Sequence, residues 1–273
     1  MLFCNKHINL IKLLRNIRRQ VFNSGQGRRY IAYAGGEIVL IMVGILLALQ
    51  INNWNERRIL RAKEQVFLRQ LKEDFDADLK QLYEKKVLTQ GILQSVEMLL
   101  RAIDDPESPY RDSTIFYMSR LFAAPTFDPV TAYLVRSENI SVVKNHNLKR
   151  KLSSWNSDYI QLLEAEKTWK DLRDDHFVHF VIPRYPLRSM HDFFWKEMTI
   201  KRGLLDDPGR APIADLGTSK NNTQIDSIFE DEEFEDYLSH IYTTNRIASL
   251  QMEALEKRIL DILQLIESEI KAT

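Results

Sequence analysis

The chain has 273 residues, in which 38 Lys and Arg balance 38 Asp and Glu, and 44% of the residues are hydrophobic. A single cysteine, Cys4, excludes a disulfide framework, and with no net basic excess no nucleic-acid partner is expected. The balance is uneven along the chain: the first 30 residues hold seven basic residues and no acidic one, leaving 31 basic against 38 acidic residues, or −7, for the remainder.

In the head, residues 1–30, Leu10, Leu14, Ile17 and Val21 recur at helical spacing, with Lys12, Arg15, Arg18 and Arg19 off that stripe. This pattern fits a basic amphipathic helix lying on the inner leaflet, or equally a solvated basic tail. Ser24-Gly25-Gln26-Gly27 breaks it.

Ile38 to Leu49 follows, a strictly apolar run short for a membrane span. Extended to Ile31–Ile51 it reaches about 31 Å at 1.5 Å per residue, the thickness of a hydrocarbon core. Tyr30 and Tyr33 on one side and Trp54 on the other have the spacing of interfacial aromatic belts, so residues 31–54 are assigned as a transmembrane helix. The sequence after it, Ala48-Leu49-Gln50-Ile51-Asn52-Asn53-Trp54, lacks a small-x-small cleavage pattern, which favours a retained anchor over a cleaved signal peptide. Arg18, Arg19, Arg28 and Arg29 before the span tie with Arg57, Arg58, Arg61 and Lys63 after it. The whole head tips the balance towards a cytoplasmic N-terminus, with residues 55–273 outside the cytoplasm.

Beyond the span, Leu68, Leu71, Phe75, Leu82, Thr89, Leu93, Val96, Leu100 and Ile103 keep three-four spacing, with gaps at Leu79 and Lys86, up to Asp105-Pro106. This predicts a helix continuous with the span, about 70 residues long at that spacing. Asp128-Pro129 reads as a helix start running to Arg136. Asn145 caps a second long helix that Pro183 and Pro186 stop after about Val181, with the stripe Leu148, Leu152, Trp155, Tyr159, Leu162 and Trp169. A third runs from about Asp231 to Lys271, where Phe234, Leu238, Ile241, Asn245, Ala248, Met252, Leu255, Ile259, Ile262 and Ile266 alternate by three and four. The only strand-like run of note, Asn139 to Val143, is too short and isolated for a sheet. Residues 200–226, rich in Gly, Pro and Asn, form a loop. The expected fold is all-α: a transmembrane helix continuing into a long-helix antiparallel bundle.

The block Gly36-Glu37-Ile38-Val39-Leu40 with Gly44-Ile45-Leu46-Leu47-Ala48-Leu49-Gln50-Ile51-Asn52-Asn53-Trp54-Asn55-Glu56, after a basic head, resembles the start of a bacterial family of uncharacterised single-pass membrane proteins, domain-of-unknown-function family 6090. Leu134 to Leu148 is similar to that family's mid-domain block, with Glu138 where a glycine is expected. The resemblance implies a Gram-negative envelope protein, in the inner membrane by the topology above, and no assigned activity.

Candidate chemistry is sparse. His176 and His179 with Asp171 and Asp175 have metal-ligand spacing but lack the fixed HExxH form, and polar residues near a helix end are the commoner reading. Glu230-Asp231-Glu232-Glu233 lacks the glycine and alternation of a calcium loop and suits a helix N-terminus. No nucleophile elbow, Walker loop, GxGxxG or CxxC occurs. No catalytic, cofactor or metal site is therefore assigned, and no enzyme activity is expected. Within the span, Glu37, Gly44, Ala48 and Asn55 fall within about 40° of one line at 100° per residue. They form either a face for close helix packing or an ordinary lipid-facing row with Glu37 among the headgroups. The expected partners are the bilayer and, through that face, a second copy or another membrane protein. The expected role is a non-enzymatic interaction or scaffolding module; the alternatives are a ligand-sensing bundle that signals through a partner, and a metal-dependent enzyme at the histidine cluster.

Overall fold

The computed structural model describes residues 27–134, 140–204, 215–220 and 222–271. The amphipathic stripe of the head, Cys4, the helix end at Arg136, Asn139 of the strand-like run, and residues 205–214 and 221 of the loop lie outside the described residues. Among those described there is no strand.

Helix α1 spans Gly27–Asp104, 78 residues, somewhat longer than its periodicity predicts. It stops where Pro106 removes a backbone donor. There the Asp105 amide still reaches Arg101 O at 3.1 Å, and the Asp105 carboxylate accepts from the Glu107 amide at 3.0 Å. The chain divides into two units, Met1–Ala62 and Lys63–Thr273, both of which draw on α1.

In the first unit the described residues are helical, and Ile38, Leu40, Leu46 and Ile51 are each more than half exposed. The most apolar window has a mean hydropathy of 2.2 with none of it buried, and this helix is long and apolar enough to cross a membrane.

The second unit is a three-helix bundle of α1 from Lys63 onward, α4 (His146–Leu172) and α8 (Glu232–Lys271). Asn145 caps α4 as predicted, accepting from the Asn147 and Leu148 amides. The helical path then widens into a π turn, Arg173–Phe177, and ends as α5, Val178–Val181. Asp231 caps α8 by accepting from the Glu233 and Phe234 amides.

Cross-helix partners fix the directions. Gln65 meets Glu269, Lys86 pairs with Glu256 and Tyr242 reaches Glu97, so α8 runs antiparallel to α1. Asn145 meets Glu269, Lys151 pairs with Asp261 and Asp158 with Arg258, so α8 is antiparallel to α4 as well. By contrast Glu64 holds the Lys144 amide and Phe75 packs edge-on against Trp155 at 5.0 Å, which makes α1 and α4 parallel to each other.

Two parallel neighbours need a connection that returns along the bundle. It starts with α2, Thr114–Arg120, after a single 3₁₀ turn, Arg111–Ser113, and includes the short α3, Thr131–Leu134. The predicted helix start at Asp128-Pro129 is thus displaced to Thr131. Its first donors are capped from α1, because Asp78 accepts from the Val130 and Thr131 amides and the Thr131 hydroxyl. The Asp128 amide itself donates to Gln81 of α1 at 2.9 Å.

Both ends of the predicted loop at 200–226 are helical. Helix α6, Leu187–Lys196, is followed by α7, Met198–Leu204, and a 3₁₀ helix covers Asn222–Glu230. Between them, Gly217 adopts φ +65°, a region that excludes most side chains, and its amide donates to Asp192 of α6 at 3.0 Å. Arg188 donates to Leu216 O, and the Ser219 amide donates to Ser189 Oγ.

The core forms two clusters. One, around Leu68, Phe75, Trp155, Met252 and Ile259, joins α1, α4 and α8. The other, around Ile92, Met118, Trp169, Phe177, Phe180 and Phe234, also takes in α2, α5 and α6.

Candidate functional site

The four residues of the predicted packing face, Glu37, Gly44, Ala48 and Asn55, lie on α1 and are exposed. A Cβ added at Gly44 would meet nothing within 4 Å, and the same holds at Gly35 and Gly36. One turn beyond Ala48, Asn52 donates to Glu56 at 3.0 Å.

The histidine cluster does not come together. His176 and Asp175 sit in the π turn and His179 in α5, all three exposed, while Asp171 pairs with Lys167. Among the described residues no three His, Cys, Asp or Glu side chains are placed to hold a metal ion. In the acidic run before α8, Asp231 serves as the cap and accepts from the Tyr185 hydroxyl at 2.7 Å, and Glu233 pairs with Arg184. Burial, followed by the nearby Asp231 carboxylate, raises the Tyr185 phenol above its ordinary range.

Periodicity alone missed three buried carboxylates that clasp the returning chain. Glu64 accepts from the Lys144 amide, Asp78 from Val130 and Thr131, and Glu166 of α4 from the Phe127 amide at 2.9 Å. Each acid occupies an inward slot of its helix: Glu64 lies four before Leu68, Asp78 lies between Phe75 and Leu82, and Glu166 lies between Leu162 and Trp169. A charged residue in the vacant slot of an apolar stripe was the available signal. Burial raises the Asp78 carboxyl, opposed by the donors from Thr131 and Val130. Burial pushes Glu166 up to about 7 against the pull of the Phe127 amide and the charge of Lys85. One Glu166 oxygen, Oε1, has no hydrogen-bond partner, as expected of an acid only partly solvated by its clasp.

A second unpredicted feature is a cavity of about 270 Å³ between α1, α2 and the α6–α7 junction. Arg120 donates from Nε and Nη2 to the two oxygens of Glu197, at 3.0 and 2.5 Å, and its guanidinium lies 4.6 Å from the centre of the Phe116 ring. The planar fork is therefore held on two sides.

The comparisons with known proteins bear on the α1 segment. Residues 37–109 match the model of a family of unknown function, DUF6090. The match supports membership of the chain in DUF6090 and contains most of the block Gly36 to Glu56 whose residues carry the resemblance. The Leu134–Leu148 block lies outside the matched residues. No curated protein and no solved structure matches the chain.

Proposed function

We propose that this protein is a non-enzymatic interaction module of the Gram-negative inner membrane, anchored by residues 31–54 with its N-terminus in the cytoplasm and its bundle in the periplasm. The observation that carries the reading is the apolar window of α1, none of which is buried by the protein's own chain. Leaving such a row of Ile, Leu and Val in water is unfavourable by about 25 cal/mol per Å² of apolar surface, and a bilayer removes that penalty. The bundle, by contrast, covers its long stripes internally. The basic head supports the orientation. Within the membrane, the face through Glu37, Gly44, Ala48 and Asn55 mediates association with a second copy or another membrane protein, since small residues let helices approach closely.

Two measurements test this. Fusions at Thr273 should be active as a periplasmic phosphatase and dark as a cytoplasmic fluorophore; the reverse pattern refutes the orientation. Crosslinking in membranes should drop on Gly44→Leu and stay near the parent level on Leu46→Ala, about 160° away on the helix. Equal behaviour of the two variants refutes the packing face.

A further inference from the structure

We infer that the cavity beside the Arg120–Glu197 pair is a binding site for a small zwitterion of the amino-acid type. The inference does not depend on the membrane reading.

The cavity is built by residues of three different kinds. Leu88 and Ile200, both buried, with Ala123, make an apolar floor. Gln90 and Gln94, one turn apart on α1 and exposed, stand with Thr199 at the mouth. The charged pair Arg120 and Glu197 completes the wall. Gly91 keeps the space open: a Cβ there would stand 3.9 Å from Arg120 Nη1, and any longer side chain would project into the cavity. A floor of hydrocarbon with a few fixed polar groups is the usual composition of a small-molecule site, and this volume suits a ligand of about ten heavy atoms.

The charged pair selects the ligand class. Glu197 engages Arg120 through Nε and Nη2, and among the described residues Nη1 takes no partner, so three of the five guanidinium N–H groups, both on Nη1 and the second on Nη2, remain to donate. Each Glu197 oxygen accepts one bond from Arg120 and keeps further lone-pair capacity. A lone anion at Nη1 would meet the charge of Glu197, and a lone cation at Glu197 would meet that of Arg120. A ligand carrying both charges a few ångströms apart satisfies both, its carboxylate on Arg120 and its ammonium on Glu197. The amides of Gln90 and Gln94 can donate to or accept from either end. The ligand's aliphatic part then covers Leu88 and Ile200.

Isothermal titration calorimetry on the full chain in detergent micelles tests the inference with four probes of one skeleton: L-leucine, 4-methylpentanoate without the ammonium, 3-methylbutylamine without the carboxylate, and the neutral 4-methylpentanamide. Leucine should bind, and each of the other three should bind at least about tenfold more weakly, the loss expected for one charge-assisted hydrogen bond. Gly91→Leu should abolish leucine binding by occupying the space. Glu197→Gln, which keeps hydrogen-bonding capacity towards Arg120, should weaken leucine by about tenfold while leaving the helical circular dichroism signal unchanged. The inference is overturned if leucine shows no heat up to about 10 mM, a free energy too small to count as recognition, if the four probes bind alike, or if folded Glu197→Gln binds leucine as the parent does. None of these readings changes with crosslinking at Gly44, so the site and the membrane face fail or stand separately.

Discussion

Glu166 gives the bundle a pH dependence that a surface acid would not. Its carboxyl is buried and titrates at about 7, well above an exposed glutamate, so between about pH 4.5 and 7 the folded state holds a proton that the unfolded chain has released. Stability from this group is full below the unfolded value and is lost as pH rises through the folded one, by an amount on the order of 3 kcal/mol. Asp78 shifts in the same direction. Glu166→Gln mimics the protonated form and keeps an acceptor for the Phe127 amide. The denaturation midpoint of this variant should therefore fall less between pH 5 and pH 8 than that of the parent. A parallel pH profile for the two would show that Glu166 is not buried as described. Asp78→Ala strips three donors of their acceptor at once and should destabilise by about 2–4 kcal/mol at pH 5, measured by urea unfolding.

At the scale of elements, the caps and stripes decide the structure. Asn145→Ala removes the acceptor for two α4 amides and should lower stability by about 1 kcal/mol, whereas Trp155→Ala, which opens a void against Phe75 in the core, should cost about 3–5 kcal/mol in the same assay. If the cap proves the costlier of the two, the packing between α1 and α4 is not what is described. These elements were legible because a run of three-four spacing identifies a helix and one face of it, and Asn145 and Asp231 mark their starts by chemistry that acts locally. Asp78 and Glu166 were not legible in the same way. Their role is to accept from amides 39 to 53 residues distant in the chain, and no local pattern encodes where a returning segment will pass. The displaced start at Thr131 has that cause, since its donors are satisfied by another helix and not by Asp128. The Arg120–Glu197 pair, separated by 77 residues, was out of reach for the same reason. Helix α7 entered a stretch assigned to a loop because Gly203 follows the apolar Ile200, which with the rest of the segment is too short to carry a readable period.

For the molecule as a whole, the second unit should fold without the first. Its stripes cover one another, and it forms a compact unit from Lys63. Residues 63–273 alone should give a soluble protein with a helix-dominated circular dichroism spectrum and cooperative unfolding; a chain that stays unfolded at neutral pH refutes this. Predicting the bundle required only that three long apolar faces could not stand in water. The parallel run of α1 beside α4 was a different matter, because helix directions depend on the path of the connection and the stripes are the same in either direction.

That path has a consequence for synthesis. Helix α8 closes the core against both α1 and α4, and Gln65 finds its partner at Glu269, 204 residues later. A ribosome adding about 5–20 residues per second takes roughly 5–20 s to move from the end of α4 to the end of α8. Throughout that interval the inward faces of Leu68, Phe75 and Trp155 lack the helix that covers them. The nascent chain thus carries the inward faces of two finished helices until the last one arrives, and transiently exposed apolar surface of this kind is prone to aggregate.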